Sequence, residues 1–219
     1  MSGIATQTRA MVDQISSVKS KTILLDTRKT APGLRILGIT KRNFCIVTNA
    51  KSRRTKKKIN IKDKLAVSHG GGHNHRMGLY DMIMIKDNHI TASGGIEKAI
   101  DNCLNYIQNN EKLKHESIPI EIECATLEQV ERVCSYAKGK VQRIMLDNMV
   151  KRTEKKGVVD TTMLEKALQI ISGRFETEAS GNITLESVAQ VAKTNVDFVS
   201  TGSVTHSVQA LDISLKFSE

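Results

Sequence analysis

Two histidines and an arginine stand within four residues in the stretch HNHR, His73 to Arg76, directly after three glycines. Residues of these types suit three different roles. A His-x-His pair can ligate Zn²⁺, a guanidinium beside an imidazole can bind a carboxylate or phosphate, and a polar stretch after glycines can be an exposed turn. The other cations weigh against Zn²⁺, because Arg28, Lys29 and Arg76 would place positive charge beside a dication.

Further polar residues stand at or just after the ends of short apolar runs such as TILLD, DMIMIK and RIMLD. This repeated placement indicates that they gather on one face of the fold. The candidate site residues, in chain order, are Arg28, Lys29, His75, Arg76, Lys86, Glu123, Asp147, Ser180, Gly181, Asn182, Gly202, Ser203 and His206.

These residues fall into three chemical groups. Clustered cations repel one another unless an anionic ligand binds, so the arginines and lysines indicate a substrate with several carboxylates or phosphates. The glycines and hydroxyls of EASGN and STGS suit a phosphate, because backbone N–H groups beside a glycine can approach it closely. Glu123 and Asp147 supply oxygen ligands of the kind that Mg²⁺ takes together with a substrate phosphate.

Four neighbouring residues receive supporting interpretations. We expect His73 to be structural, His89 to cap or brace the loop after DMIMIK, and His206 to orient the phosphate loop. Glu121 is interpreted as a solvent-facing strand residue, with Glu123 the inward one.

The elements that must position these residues alternate between strands and helices. Seven short apolar runs, from TILLD through KLAVSH to DFVSTGS, are separated by stretches of helical periodicity. Such βα repetition predicts an α/β fold with a mostly parallel sheet. With about seven parallel strands and short connections, a TIM-like barrel is favoured over an open sheet, and the candidate residues would converge at the carboxyl ends of its strands.

The positive charge of the chain is concentrated in one segment. The formal net charge is +10, but Ile36 to Lys64 holds ten Lys or Arg and one Asp, which gives +9 there and leaves +1 for the other residues. A nucleic-acid partner is therefore not expected of the fold itself. We interpret residues 36–62 as a basic, disordered insert in a single domain of residues 1–219.

The four cysteines form no CxxC pair, which predicts free thiols and a reducing compartment. No apolar run reaches the length of a membrane span, and the first residues lack the apolar region of a signal peptide. We therefore predict a cytoplasmic protein without a membrane partner, and leave open an organellar targeting segment in a longer chain.

Six blocks between Ser2 and about Phe217 carry a resemblance to a known family. They are LLDTRKTAPGLR, GGGHNHRMGLYDMIMIKDNHI, IEIECATLEQV, RIMLDNM, ETEASGNITLE and STGSVTHSVQALDISLK. In this order they resemble the quinolinate phosphoribosyltransferases, also called nicotinate-nucleotide pyrophosphorylases. The resemblance implies an incomplete αβ barrel, preceded in the family by an open-faced sandwich domain that is missing from this sequence, in a homodimer or hexamer.

The resemblance also implies a glycosyltransferase reaction of NAD biosynthesis. Quinolinate and phosphoribosyl pyrophosphate would give nicotinate mononucleotide, pyrophosphate and CO₂, with Mg²⁺ as cofactor. The family positions that hold the quinolinate carboxylates correspond to Arg28, Lys29, His75 and Arg76. Those that handle the ribose, the pyrophosphate and the metal correspond to Lys86, Glu123 and Asp147. The phosphate loops correspond to Ser180, Gly181, Asn182, Gly202 and Ser203, with His206 beside them.

Three alternatives stay open at this point. The absent domain would supply an arginine to the active site of the neighbouring subunit, and the insert lies next to Arg28 and Lys29, so the chain is alternatively a catalytically impaired fragment. A metal-dependent barrel hydrolase would use His73 and His75 as Zn²⁺ ligands. A basic nucleic-acid binder would use the insert alone. A simpler explanation of the insert is the translation of a retained intron.

Overall fold

The structure is a computed structural model, and it describes residues 2–29, 61–77, 81–111, 113–206, 208–209 and 211–214. Most of the predicted insert, including Cys45, lies outside these residues, so its disorder stays a prediction. Only its last two residues, Ile61 and Lys62, fall inside, where they begin a helix.

Six parallel strands form the main sheet, in the order β1-β8-β7-β4-β3-β2. Their bounds are β1 Ile23–Leu25, β2 Ile83–Ile85, β3 Ile120–Cys124, β4 Arg143–Asp147, β7 Glu176–Ser180 and β8 Phe198–Ser200. Between β4 and β7 the chain makes a small antiparallel hairpin of β5 Lys151–Arg152 and β6 Val159–Asp160. The parallel α/β fold predicted from the repetition is confirmed.

Helices alternate with the strands and pack against them; α1 contacts β1, α5 contacts β3 and α7 contacts β8. The helices of the described residues are α1 Ser2–Ser17, α2 Ile61–His69, α3 Asp87–Ser93, α4 Ile96–Gln108, α5 Leu127–Tyr136, α6 Thr162–Ile171, α7 Val188–Ala192 and α8 Ser203–His206. Thr126 caps the N-terminus of α5, since its hydroxyl accepts the backbone N–H of Gln129 at 3.3 Å.

The core follows from alternation along the strands. In β3, Ile120, Ile122 and Cys124 are buried apolar residues of the main core, whereas Glu121 and Glu123 point to the opposite face. The register brings the carboxyl ends of β1, β8, β7 and β4 to one level, where Leu25, Ser200, Ser180 and Asp147 are neighbours in turn. This level is where the site residues begin.

The run KLAVSH was predicted as a strand, and this prediction is wrong, because the run lies in α2. The buried positions from Asp63 to Gly70 are Asp63, Lys64, Ala66, Val67 and Gly70, and their separations of three and four residues match one face of a helix. Gly70 follows the helix and packs closely on α1, where a Cβ atom would lie 2.6 Å from the carbonyl oxygen of Ala5. The described sheet therefore has six strands.

The HNHR segment occupies the place of the missing seventh strand. His73 pairs with β1, since its N–H donates to the carbonyl of Leu24 at 2.8 Å and its carbonyl accepts from Asp26 at 3.1 Å. At the other edge, Arg76 Nη1 donates to the carbonyl of Met82, just before β2, at 3.2 Å. The segment thus spans the two edges of the sheet, which makes the fold an incomplete barrel.

Two further predictions from the sequence concern the cysteines and a membrane span. Cys103, Cys124 and Cys134 are free thiols, as predicted for the cysteines that the structure describes. Within the same residues, none of the helices combines the length and apolar character needed to cross a bilayer.

Candidate active site

One cavity of about 1080 Å³ opens at the carboxyl ends of the strands, and its wall contains every candidate site residue predicted from the sequence. This convergence of the candidate residues agrees with the barrel geometry. It does not by itself assign a role to any one of them. The wall is completed by Thr27, Met84, Met145, Asn148, Arg152, Ile183, Thr184, Ser200 and Thr201.

The strand order divides the wall into three arcs. The cationic arc holds the side chains that follow β1 and β2, together with side chains of the HNHR segment between these strands. Its members are Arg28, Lys29, His75, Arg76 and Lys86. The acidic arc comprises Glu123 of β3 and Asp147 of β4. The glycine arc, after β7 and β8, comprises Ser180, Gly181, Asn182, Gly202 and Ser203. Each chemical type thus forms one continuous part of the rim.

The main chain of His75 and Arg76 is held by a buried ion pair. Lys64 Nζ lies 2.6 Å from Asp26 Oδ1, with both side chains almost fully buried. Asp26 Oδ1 also accepts the N–H of His75 at 2.8 Å, and Lys64 donates to the carbonyl of Arg76 at 3.3 Å. Burial outweighs these contacts and raises the pKa of the Asp26 carboxyl. The pair fixes the backbone from which the side chains of His75 and Arg76 extend; we call these two side chains the clamp.

The imidazole of His75 is enclosed by protein on both sides. Its Nδ1 accepts the N–H of Arg76 at 2.8 Å. Its Nε2 lies 3.1 Å from Glu121 Oε2 and 3.2 Å from Glu178 Oε2, and both glutamates have no solvent exposure. Neither contact has the alignment of a linear ring hydrogen bond. We interpret Nε2 as carrying a proton that is shared between two acceptors.

This cluster holds more protons at neutral pH than its free groups would. Burial alone would lower the pKa of His75, but the two carboxylates outweigh it and raise that pKa to about 9. Burial and the charge of Glu178 raise the pKa of Glu121 to about 7. Arg143 Nη1 lies 3.1 Å from Glu178 Oε2, and this cation with His75 keeps the pKa of Glu178 low despite its burial.

Arg76 is the most deeply buried cation of the cationic arc. Only 8% of the residue is exposed. Its Nη1 is bound by the Met82 carbonyl, which leaves further donors of the guanidinium fork for a ligand. Burial, and next the charge of Arg28, lowers the pKa of Arg76. Two neighbouring cations of this kind are stabilised by an anion between them.

The acidic arc is joined to the cationic arc by an ion pair. Lys86 Nζ lies 2.6 Å from Glu123 Oε2. Burial and the charge of Glu123 raise the pKa of Asp147, and its Oδ2 accepts from the Asn148 amide at 2.6 Å. The main chain at Lys86 is fixed by His89, whose Nδ1 accepts the N–H of Lys86 at 2.9 Å, as the predicted brace requires.

The glycine arc brings backbone close to the cavity. Gly181 has φ +92°, and a Cβ there would clash with the Asn148 side chain. At Gly202, a Cβ would lie 2.8 Å from the His206 ring and 3.2 Å from the side chain of Lys29. Both positions need glycine, because backbone and side chains from two arcs meet there.

Sequence reasoning missed or misassigned several residues. Glu121 was predicted to face solvent and is instead fully buried inside the barrel, because residues two apart in a strand share a face with Glu123. Lys64 was counted only as part of the positively charged segment and is a buried partner of Asp26. Glu178 and Arg152 were not predicted; Arg152 lies on β5 and lines the cavity.

The Zn²⁺ site of a hydrolase is not supported by this geometry. His73 has an exposed side chain, and its part in the fold is its backbone pairing with β1. The group of possible metal ligands among the described residues is His75 with Glu121 and Glu178. Their side chains are at most 5% exposed, whereas a catalytic zinc keeps an open position.

Fold and cavity together define a TIM-like α/β barrel protein whose cavity, at the carboxyl ends of the strands, is lined by cations, carboxylates and glycines. The family described as quinolinate phosphoribosyl transferase, C-terminal domain, matches residues 4–42 and 39–216. The chain belongs to this family.

Relatives agree with this assignment. The chain is 48% identical, over 99% of its length, to the chloroplastic carboxylating nicotinate-nucleotide pyrophosphorylase of Arabidopsis thaliana, and covers 53% of it. It is 47% identical over 99% of its length to the mitochondrial quinolinate phosphoribosyltransferase [decarboxylating] 2b of Nicotiana tabacum, again covering 53%. The crystal structure of NadC from Streptococcus pyogenes matches with a TM-score of 0.70 at 33% identity, over 98% of this chain and 59% of that one. The chain spans about half the length of the curated relatives that it matches.

Proposed function

We propose that this chain carries the catalytic barrel of a quinolinate phosphoribosyltransferase, which converts quinolinate and phosphoribosyl pyrophosphate to nicotinate mononucleotide, pyrophosphate and CO₂. The observation that carries the proposal is the division of one cavity into continuous cationic, acidic and glycine arcs. A planar dicarboxylate, a metal-bound pyrophosphate and a sugar phosphate need these three surfaces. The names of the relatives support the same reaction.

Quinolinate would bind in the cationic arc. Its two adjacent carboxylates match the neighbouring cations Arg28, Lys29 and Arg76, and the buried Arg76 would hold one carboxylate through parallel hydrogen bonds. The low solvent exposure at Arg76 strengthens this attraction. A monocarboxylate would leave part of the cationic arc without a counter-ion, so the arc favours a diacid.

Phosphoribosyl pyrophosphate would bind across the other two arcs. Its 5′-phosphate fits against the backbone at Gly181 and Gly202, where only glycine permits a close approach. The pyrophosphate would extend toward Lys86. This arrangement places the ribose C1 between the glycine arc and the cationic arc, where the pyridine nitrogen of quinolinate would meet it.

The residues present also fit a Mg²⁺ ion. Glu123 and Asp147 are carboxylates on adjacent strands whose charges influence each other, and Mg²⁺ usually takes one or two carboxylates together with substrate phosphate. When bound there, Mg²⁺ would stabilise the negative charge of the departing pyrophosphate.

The residues of the chain would act by positioning and electrostatics. The cationic arc holds the pyridine nitrogen against C1, and Lys86 stabilises the leaving pyrophosphate. The ring nitrogen would become cationic on bond formation, and its charge would stabilise the electron pair that stays on the adjacent carbon when the carboxylate departs as CO₂; that carbon would then take a proton from water. This sequence of steps needs no covalent enzyme intermediate.

The test is release of labelled CO₂ from quinolinate carrying the label in the carboxylate beside the ring nitrogen. The purified chain would be assayed with Mg²⁺, with and without phosphoribosyl pyrophosphate. Release that requires phosphoribosyl pyrophosphate and is lost in Arg76→Ala supports the proposal. A folded chain that binds both substrates without releasing CO₂ is instead the impaired fragment, and one that binds neither contradicts the assignment of the cavity.

Assembly and compartment are part of the same proposal. We propose a homodimer or hexamer, which light scattering on the purified chain would test. The plant relatives are named chloroplastic or mitochondrial, and the cytoplasmic location expected from the sequence stays a prediction.

A further inference from the structure

We propose that Arg152, carried on the β5–β6 hairpin, binds the 5′-phosphate of phosphoribosyl pyrophosphate and of the mononucleotide product. The inference rests on the proposed function and deepens it, because it concerns the substrate that the glycine arc would hold. The side chain of Arg152 lines the same cavity as that arc, although the sequence gave no reason to expect it there.

The hairpin that carries Arg152 is fastened to the barrel by one side chain of α7. Gln190 Oε1 accepts the N–H of Val159 at 3.2 Å, and its Nε2 donates to the carbonyl of Gly157 at 2.7 Å. Val159 is the residue that pairs with Arg152 in the hairpin. The backbone opposite Arg152 is therefore held in a fixed place relative to the barrel.

The start of the hairpin is also joined to the glycine arc. Asn182 Nδ2 donates to the carbonyl of Val150 at 3.4 Å, two residues before Arg152. The N–H of Asn148 donates to the carbonyl of Ser180 at 2.8 Å. The chain therefore enters the hairpin in contact with the loop that follows β7, where a phosphate would lie.

The charge of the cavity wall leaves a place for Arg152 in phosphate binding. Among the described residues, the other Lys and Arg side chains of the wall belong to the cationic arc, and Lys86 is in addition paired with Glu123. The side chain of Lys29 comes close to Gly202, at the β8 end of the glycine arc. Arg152 supplies a cation at the other end, after β7, so a phosphate dianion on the arc would have cations on two sides.

The guanidinium of Arg152 is available for a ligand. It has no hydrogen bond or ion pair within the part of the chain that the structure describes. A guanidinium has five N–H donors in a planar fork, and this fork can give two parallel hydrogen bonds to one phosphate. Since the residue is exposed, solvent and salt would limit the strength of this contact.

Lys151 provides a matched control on the same strand. Neighbouring strand residues point to opposite faces, and Lys151 pairs with Asp160 across the hairpin and does not line the cavity. Both cations are exposed. Lys151→Gln thus removes the same charge as Arg152→Gln from the next position, without removing a group of the cavity wall.

The first experiment compares three ligands by calorimetry on the full chain at low salt. Arg152→Gln should weaken binding of nicotinate mononucleotide about two- to fivefold, and should change the affinities for quinolinate and for inorganic pyrophosphate with Mg²⁺ less than about 1.5-fold. Lys151→Gln should change all three less than about 1.5-fold. A loss for pyrophosphate or quinolinate as large as that for the mononucleotide overturns the assignment to the 5′-phosphate.

The second experiment observes the phosphate directly. The ³¹P resonance of bound nicotinate mononucleotide should move in Arg152→Gln, return part of the way in Arg152→Lys, and stay in place in Lys151→Gln. An unchanged resonance in Arg152→Gln overturns the contact, whatever the affinity. Because the guanidinium has no partner among the described residues, its replacement should leave folding intact, and Arg152→Lys gives a second variant for the same test.

The two proposals fail in different ways. If the unaltered chain binds quinolinate and the mononucleotide, and Arg152→Gln binds both equally well, this inference fails while the proposed function stands. If the unaltered chain binds neither ligand, both fail.

Discussion

The buried cluster of His75, Glu121 and Glu178 makes the stability of this protein depend on pH in a stated direction. The pKa of His75 is raised from 6.5 to about 9, and that of Glu121 from 4.5 to about 7. A group whose pKa is raised by folding stabilises the native state below its unfolded pKa, and this contribution is lost as pH rises through the folded value. The free energy of unfolding should therefore fall between about pH 6.5 and 9.

The magnitude follows from the number of protons. In this window the native cluster holds about one proton more than the unfolded chain, which corresponds to a loss of a little over 1 kcal/mol per pH unit. The total is on the order of 3 kcal/mol over the window. The side chain of His75 is only 5% exposed and those of both glutamates are fully buried, so solvent screening does little to reduce the effect.

Urea unfolding at constant ionic strength, in steps of half a pH unit from pH 6 to 9.5, measures this slope. Glu121→Gln should flatten it, since an amide cannot release a proton. Glu176→Gln should leave it unchanged, because Glu176 does not contact His75. A free energy of unfolding that is constant or rises from pH 6.5 to 9 in the unaltered chain would refute the assignment of a shared proton to this cluster.

Three further substitutions test the arcs of the cavity. Arg76→Ala should lower kcat/KM for quinolinate more than tenfold, a loss above about 1.4 kcal/mol. Arg76→Lys should have an intermediate effect, because lysine lacks the planar guanidinium fork. Steady-state kinetics identical to those of the unaltered enzyme would remove Arg76 from the clamp. Gly181→Ala should cost about 1–3 kcal/mol in urea unfolding, because φ is +92° and the new methyl group meets Asn148; unaltered stability would contradict the strain. Arg152→Ala should weaken phosphoribosyl pyrophosphate binding about two- to fivefold in calorimetry at low salt and less at high salt. If Arg152→Ala and the unaltered chain bind with the same affinity at both salt concentrations, Arg152 lies outside the binding surface.

The fold was predictable where the sequence carries a local signal. Alternating apolar runs and helical stretches predict the parallel strands, and the rule that barrel sites lie at carboxyl ends collects the candidate residues on one wall. KLAVSH misled because a run of three apolar residues fits a buried strand or one turn of a helix equally well. The buried positions at Asp63, Ala66 and Gly70 decide for the helix, and burial is fixed by packing on α1.

The buried charged residues beneath the cavity could have been predicted in part from the same sequence. Side chains two apart in a strand share a face, so an inward Glu123 requires an inward Glu121, and an inward Ser180 requires an inward Glu178. The alternation of β4 places Arg143 with Asp147 in the same way. By contrast, the ion pair of Lys64 with Asp26 joins residues far apart in the chain, and no spacing rule relates them.

The polar interior of this barrel is best explained by the site above it. Layers of Val, Ile and Leu usually fill such barrels, and replacing buried ion pairs by apolar residues of similar volume is often neutral or stabilising. Here the level below the cavity holds Glu121, Arg143 and Glu178, with His75 between the glutamates. An apolar layer would support the strands equally well but would leave Nε2 of His75 without the two carboxylates that it contacts. We therefore interpret the buried charges as rigid support for the clamp, because the HNHR segment that contains it lacks regular strand pairing.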